Sequence, residues 1–327
     1  MTRTLLLSVG LIISYFLTGI LRRYAKPLKL VDVPNERSSH VIPTPRGGGL
    51  VFTSVFLVIF CYLVIKDNLN PFINLFFIFA ASITAGIGLL DDRHNMSAKT
   101  RFVCHMVSVT ILLFAVNYKL NIINELWLMM FLFLSGLWMI NLYNFMDGID
   151  GLAAIELLTI GAILLLLMTI VPDNSQLLMP IALMMCCVGG FILWNWAPAK
   201  IFMGDIGSGF IGFFFFYLIL MSNMSLLTWA ILLAGFWVDT TYTLIYRVFT
   251  KQKWYQAHRS HAYQKLAIRW SSHAKVSISL AIINIVWLFP LSVASVVLPS
   301  FKWLLVFIAI SPLLAFCIYI KAGKPDK

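Results

Sequence analysis

Residues 123–171 read INELWLMMFLFLSGLWMINLYNFMDGIDGLAAIELLTIGAILLLLMTIV, two apolar runs on either side of a polar, acidic knot, NLYNFMDGIDGL at 141–152. Each run is long enough to cross a ~30 Å hydrocarbon core as a helix rising about 1.5 Å per residue. The knot therefore sits at a membrane surface, held between two spans.

Working outward, runs of the same kind are predicted near 4–21, 48–66, 71–90, 102–118, 123–140, 151–171, 177–194, 208–222, 225–246, 274–296 and 301–320. The composition agrees: the 327 residues are 61% hydrophobic and only 11% charged, about half the charge of a soluble domain. The expected fold is all-α, a single integral membrane domain over 1–327 with about 11 transmembrane helices. The first run has a long apolar core and is followed by LRRYAK instead of a small-residue cleavage site, so it is expected to remain as an anchor.

Of the 24 Lys and Arg residues, all but Arg3, Lys66, Lys119 and Lys302 fall in one set of connections. Positive charge marks the cytoplasmic side, so the N-terminus is expected outside, the C-terminus in the cytoplasm, and the 141–152 knot at the cytoplasmic face. The net charge of +11 is spread over short loops beside spans, a pattern that suits orientation and anionic headgroups and speaks against nucleic acid. The five cysteines all lie within spans and show no metal-binding spacing.

External connections such as 119–122, 172–176 and 223–224 are too short to carry chemistry, so the cytoplasmic segments must. The first, LVDVPNERSSHVIPTPRGGGL, ends in Gly47, Gly48 and Gly49 beside Arg46 at the start of a span; glycine amides at a helix N-terminus next to an Arg form a reasonable phosphate site. The second, LLDDRHNMSAKTR, places Asp91 and Asp92 at the C-terminal end of a span, electrostatically the wrong end for acids. Adjacent carboxylates there repel unless a proton or cation relieves them.

In the knot itself, Asn141, Asn144, Asp147 and Asp150 recur at every third residue, and Gly148 and Gly151 predict a break that lets them curl around one ligand. The set is rich in oxygen and lacks His and thiol, which suits Mg²⁺, a diphosphate-bound metal or a nucleotide, and not zinc. Asp205 lies in the glycine turn of FMGDIGSG, leading straight into the next span, where one carboxylate could reach a metal beside a phosphate. The longest cytoplasmic segment, 247–275, joins seven basic residues to His258, His261, His273 and several aromatics, a positive lid for an anion. Glu156 and Asp239 fall inside spans, where ionisable groups are costly and so candidates for function; Asp239 is also placed to pair with Arg247.

These motifs, PTPRGGG, DDRHN, NLYNFMDGIDGL, FMGDIGS and HRSH, come in the order in which they stand in the polyprenyl-phosphate N-acetylhexosamine-1-phosphate transferases, and over most of its length the chain resembles that family, which includes phospho-N-acetylmuramoyl-pentapeptide transferase and the enzymes that start O-antigen and related surface glycans. The resemblance implies a membrane transferase that joins a sugar 1-phosphate from a UDP-N-acetyl sugar to undecaprenyl phosphate with Mg²⁺, or Mn²⁺ in its place, and releases UMP. By the same resemblance Asp91, with Asp92 beside it, takes the proton of the lipid phosphate, and Asp205 is the principal metal ligand with Asp147 as a second. Asn144 and Asp147 or Asp150 resemble donor contacts and His258 with His261 the loop that holds the sugar nucleotide, and from the residues themselves Arg46, Asn141 and Arg259 are expected to line the substrates with them.

His258 to His261 read HRSH where the muramoyl-pentapeptide enzymes have consecutive histidines, which sets the chain with the glycan-initiating branch. His105 stands where many relatives have Gln. The implied partners are the polyprenyl phosphate, the UDP-sugar and membrane lipid, with a homodimer left open. The rival from another class is a transporter or flippase of an anionic solute, which would not need acidic and glycine-rich motifs gathered in cytoplasmic loops.

Overall fold

The computed structural model describes residues 2–34, 42–120, 125–253 and 258–325 of the chain. It is a bundle of helices with one two-stranded ribbon, β1 (Val31–Asp32) antiparallel to β2 (Thr44–Pro45). The expected turn at 119–122 falls largely outside the described residues, as do Trp254 and Tyr255 of the basic segment and Asn35 of the first loop.

Within the described residues each of the eleven predicted runs is helical over most of its length. Among the described residues nine helical stretches are at least 18 residues long and apolar enough to cross a membrane, so the chain is a multi-pass membrane protein. They are α1 (Arg3–Tyr24), α2 (Gly49–Lys66), α3 (Pro71–His94), α4 (Ala98–Leu120), α5 (Leu126–Met146), α6 (Leu152–Ile170), α7 (Ser175–Asn195), the stretch His273–Val297 and the stretch Pro299–Tyr319. The eighth run is α8 (Asp205–Met221), 17 residues. The ninth is broken into α9 (Leu226–Leu232) and α10 (Ala234–Phe249) around Leu233. There the Trp237 indole donates to the carbonyl of Ala230 at 2.8 Å, satisfying a carbonyl close to the break.

After a short amphipathic helix, α11 (Ala262–Trp270), the penultimate stretch runs as α12 (His273–Ile282), a π-helical turn at Ile283–Leu288 and α13 (Phe289–Val297); α14 (Lys302–Tyr319) closes the chain. Asn284, in the π turn, donates to Glu156 Oε2 at 2.6 Å and Thr159 Oγ1 at 2.8 Å on α6. Glu156 thus has a partner at membrane depth, and the pair ties the π turn to α6.

Helix α8 is the axis of the bundle. It is apolar on every side, and Phe210, Phe213, Phe214, Phe215 and Phe216 are all buried, as expected of a helix surrounded by others. Small residues let its neighbours approach closely. A side chain at Gly49 would collide with Gly207, and one at Gly88 would lie 2.6 Å from the Ile206 backbone. The start of α8 is therefore wedged between the start of α2 and the end of α3, which gathers residues 47–49, 91–92, 101, 141–151 and 205 at one end of the bundle.

Candidate active site

The head of α8 decides what Asp92 does. A helix N-terminus leaves backbone N–H groups without partners; here the Asp205 N–H donates to Asp92 Oδ1 at 3.1 Å and the Ile206 N–H donates to Asp92 Oδ2 at 3.3 Å. Asp92 is buried at 3% exposure, so both of its oxygens are engaged in holding α8. Gly204 makes room for it: its φ is +78°, and an added Cβ would run into the Asp92 carboxylate.

Asp91, the adjacent acid, meets a side chain instead of the backbone amides. Arg101 Nη1, on the first turn of α4, lies 2.7 Å from Asp91 Oδ2 and 2.7 Å from Asp205 Oδ2. One guanidinium nitrogen thus bridges carboxylates that are 104 and 10 residues from it in sequence. Arg101 counted in the sequence only as a loop charge; the sole signal was a basic residue set one turn into an apolar helix.

The glycine amides next to Arg46 have a different use from the phosphate site predicted for them. Gly48 N–H donates to the Phe202 carbonyl at 2.9 Å and Gly49 N–H to the Met203 carbonyl at 2.8 Å. They are committed to docking the 202–203 loop, because backbone donors buried at a helix–helix junction must be paired. Arg46 itself lies 3.9 Å from Asp32, and its Nε is buried without a protein partner.

The 141–151 knot breaks the helix as predicted: α5 ends at Met146, Asp147 caps it, and Gly151, with φ +75°, starts α6. Asn141 donates to the Leu137 carbonyl of its own helix at 2.7 Å, while Asn144 makes no side-chain hydrogen bond within the described residues. Burial, then the charges of Asp205, Asp92 and Asp150, push the Asp147 carboxyl well above its ordinary range. Asp150 is tied to two neighbours: Oδ2 accepts from the Ala199 N–H at 3.1 Å and lies 3.2 Å from His273 Nδ1. Around it opens a cavity of about 550 Å³ lined by Gly148, Asp150, Pro198, Arg259, Gln264 and His273.

Helix α11 covers this corner. Asp239 accepts the N–H groups of Ala262 at 2.8 Å and Tyr263 at 3.0 Å, so it caps α11 from inside the bundle and is not the partner of Arg247. Arg247 instead donates to Gln252 Oε1 at 2.8 Å and the Lys253 carbonyl at 3.2 Å. Tyr263 reaches over to the Phe145 carbonyl at 2.8 Å, fixing α11 against the knot. His261 is buried, 3.6 Å from Asp239, and stacks with His258 at 4.9 Å between ring centroids. Burial, then the proximity of His261 and Arg247, lowers His258 to about 3; its Nδ1 is 3.0 Å from the Ser260 hydroxyl. His258 is a neutral hydrogen-bonding group, and the cation facing the cavity is Arg259.

Among the described residues no group of three or more His, Cys, Asp or Glu stands ready to hold a metal. The pair Asp91 and Asp205 fits a hard cation that keeps waters and phosphate oxygens for its other positions, the habit of Mg²⁺. Two acids bridged by the Arg101 guanidinium, an Asp147 carboxyl pushed upward by burial and an open polar cavity, gathered at one end of a multi-pass bundle, suit phosphoryl transfer at a membrane surface.

Residues 74–223, which carry most of α3 through α8 and with them Asp91, Asp92, the knot and Asp205, match the family model described as glycosyl transferase family 4. The chain is 29% identical over 319 residues to a probable undecaprenyl-phosphate N-acetylglucosaminyl 1-phosphate transferase of Bacillus subtilis, covering 92% of this chain and 86% of the relative. It is 34% identical over 232 residues to a decaprenyl-phosphate N-acetylglucosaminephosphotransferase of Mycobacterium tuberculosis, 62% of this chain but only 55% of the relative's length. An undecaprenyl-phosphate alpha-N-acetylglucosaminyl 1-phosphate transferase of Thermotoga maritima is 26% identical over 80% of this chain and 82% of its own. The resemblance carried by the five motifs is borne out.

Proposed function

We propose that the protein transfers a sugar 1-phosphate, N-acetylhexosamine or its 6-deoxy form, from a UDP-sugar to undecaprenyl phosphate at the cytoplasmic face of a bacterial plasma membrane. The product is a lipid-diphosphate-sugar, the opening step of O-antigen or other surface-glycan assembly. The observation that carries this reading is the meeting of Asp91 and Asp205 on one nitrogen of Arg101, next to the knot and its cavity.

An oxygen of the lipid phosphate attacks the phosphorus that bears the sugar; the bond from that phosphorus to the bridging oxygen breaks, and UMP leaves with the electron pair. Such a transfer asks the protein for alignment and charge, with little covalent help. Asp91 is placed to receive the proton of the attacking phosphate. Asp205 and Asp91, with Asp147 behind them, would hold Mg²⁺, whose bound charge would offset that of the diphosphate. Asn144, Asp150 and Arg259 face the donor, and α11 with His258 and His261 just ahead of it covers it.

The test is release of UMP by the purified protein from a panel of UDP-sugars, with undecaprenyl phosphate and Mg²⁺. Release that requires both the lipid and the cation supports the reading. No release with any donor sinks it in favour of transport.

A further inference from the structure

Two carboxylates close enough to share a cation repel each other unless a proton or a positive group relieves them. Here that group belongs to the chain. Arg101 Nη1 is 2.7 Å from both Asp91 Oδ2 and Asp205 Oδ2, and the remaining acids cannot relieve the pair. Asp92 has both oxygens on the amides of α8.

We propose that Arg101 is a resident counter-ion in the metal seat: its guanidinium stands where a divalent cation would bridge Asp91 and Asp205, and it vacates that place when the cation binds. This rests on the reading of Asp205 as a metal ligand. A guanidinium pairs with carboxylate and phosphate alike through the same planar fork. The displaced Arg101 can therefore turn from Asp91 and Asp205 to the phosphates that arrive with the metal. Its side chain is 33% exposed, so it is packed loosely enough to swing. The metal alone must compete with Arg101 and is held weakly; metal with diphosphate gives Arg101 new partners and is held firmly. The seat is thus balanced in charge in both states.

The experiment is Mn²⁺ binding, followed by electron paramagnetic resonance on the purified full-length protein without nucleotide, so that turnover plays no part. Removal of the competing charge-assisted bonds in R101Q should tighten Mn²⁺ by about tenfold or more, on the order of what one such bond contributes. The K99Q variant, which removes an exposed charge two residues away, should stay within about twofold because solvent and salt screen it. D205N should lose the site in both backgrounds. R101K keeps a charge but not the fork, and is expected between wild type and R101Q; it decides the matter where R101Q does not fold.

Binding that depends on Asp205 yet is no tighter in R101Q, or in R101K where R101Q does not fold, than in wild type overturns the counter-ion while leaving the metal ligand standing. Binding that survives D205N, or is missing from wild type and Arg101 variants alike, overturns Asp205 as a ligand, and the counter-ion with it. A second readout is the unfolding temperature in metal-free buffer. It should fall in R101Q and recover with Mn²⁺ by more than wild type gains; an unchanged metal-free value counts against the proposal.

Discussion

The carboxylate of Asp92 accepts the backbone N–H of Asp205, so one acid of the site is the cap that fixes the position of another. Asp92→Ala should leave two amides of α8 without acceptors, costing about 1–2 kcal/mol of stability and most of the turnover, through displacement of Asp205. Gly204→Ala should do the same from the opposite side, since its Cβ would occupy the space of the Asp92 carboxylate and its φ of +78° strains any other residue. Thermal unfolding in detergent and hydrogen exchange at the 205–206 amides check both; full protection of those amides in Asp92→Ala would contradict the cap.

Asp205→Asn should keep the fold and lose the chemistry. Its backbone still donates to Asp92 and Arg101 keeps its ion pair with Asp91, so the loss of one part-exposed partner leaves the fold in place. Turnover should fall by roughly 10²–10³-fold or more, the scale of losing one preorganised electrostatic group. UMP release and unfolding temperature, measured on the same preparation, separate the two effects.

The pH dependence of stability should carry the mark of Asp147. Its native carboxyl titrates above the ordinary carboxylate range of about 4, so between these values the native state holds a proton that the unfolded chain has released. Stability from this group is fully present below about pH 4 and is lost as pH rises through the native value. Asp147→Asn removes that loss. Without metal the variant should unfold at a higher temperature than wild type at pH 7–8, with the gap closing toward pH 4–5; a gap independent of pH would assign the effect to packing.

Helix α11 should come loose when either of its two moorings is cut. Asp239→Ala removes the acceptor for the Ala262 and Tyr263 amides, and Gly148→Ala drives a Cβ into the Tyr263 hydroxyl, with Gln264 Nε2 at 2.8 Å. Both should raise the KM for the UDP-sugar several-fold with a smaller change in kcat, because Asp91 and Asp205 are untouched. Steady-state kinetics decide it, and a pure kcat effect would place α11 in the chemistry instead of over the donor.

The spans and the gathering of five motifs at one face were legible in the sequence, because membrane length and strong composition contrasts write themselves into the order of residues. The division of labour between Asp91 and Asp92 was not. Neighbours on a helix point about 100° apart, and which of them meets α8 depends on a contact more than a hundred residues away. Gly48 and Gly49 misled for a related reason: a glycine amide free in sequence can be claimed by a distant carbonyl, here Phe202 or Met203. Asp239 lay within helical reach of Arg247 and chose the amides of α11, which became its neighbours only through the fold. Arg101 hid among charges that membrane orientation already accounted for.

Helix α8 is fastened to α3 at both ends, by Asp92 at its head and, near its tail, by the Tyr217 hydroxyl donating to Asn74 at 2.6 Å. A bilayer that thickens or thins tilts its helices or slides them past one another. These two can only tilt as a pair. The mechanical consequence is coupling: a tilt imposed on α3 by the surrounding lipid carries α8 with it, which works to preserve the spacing of Asp91 and Asp205.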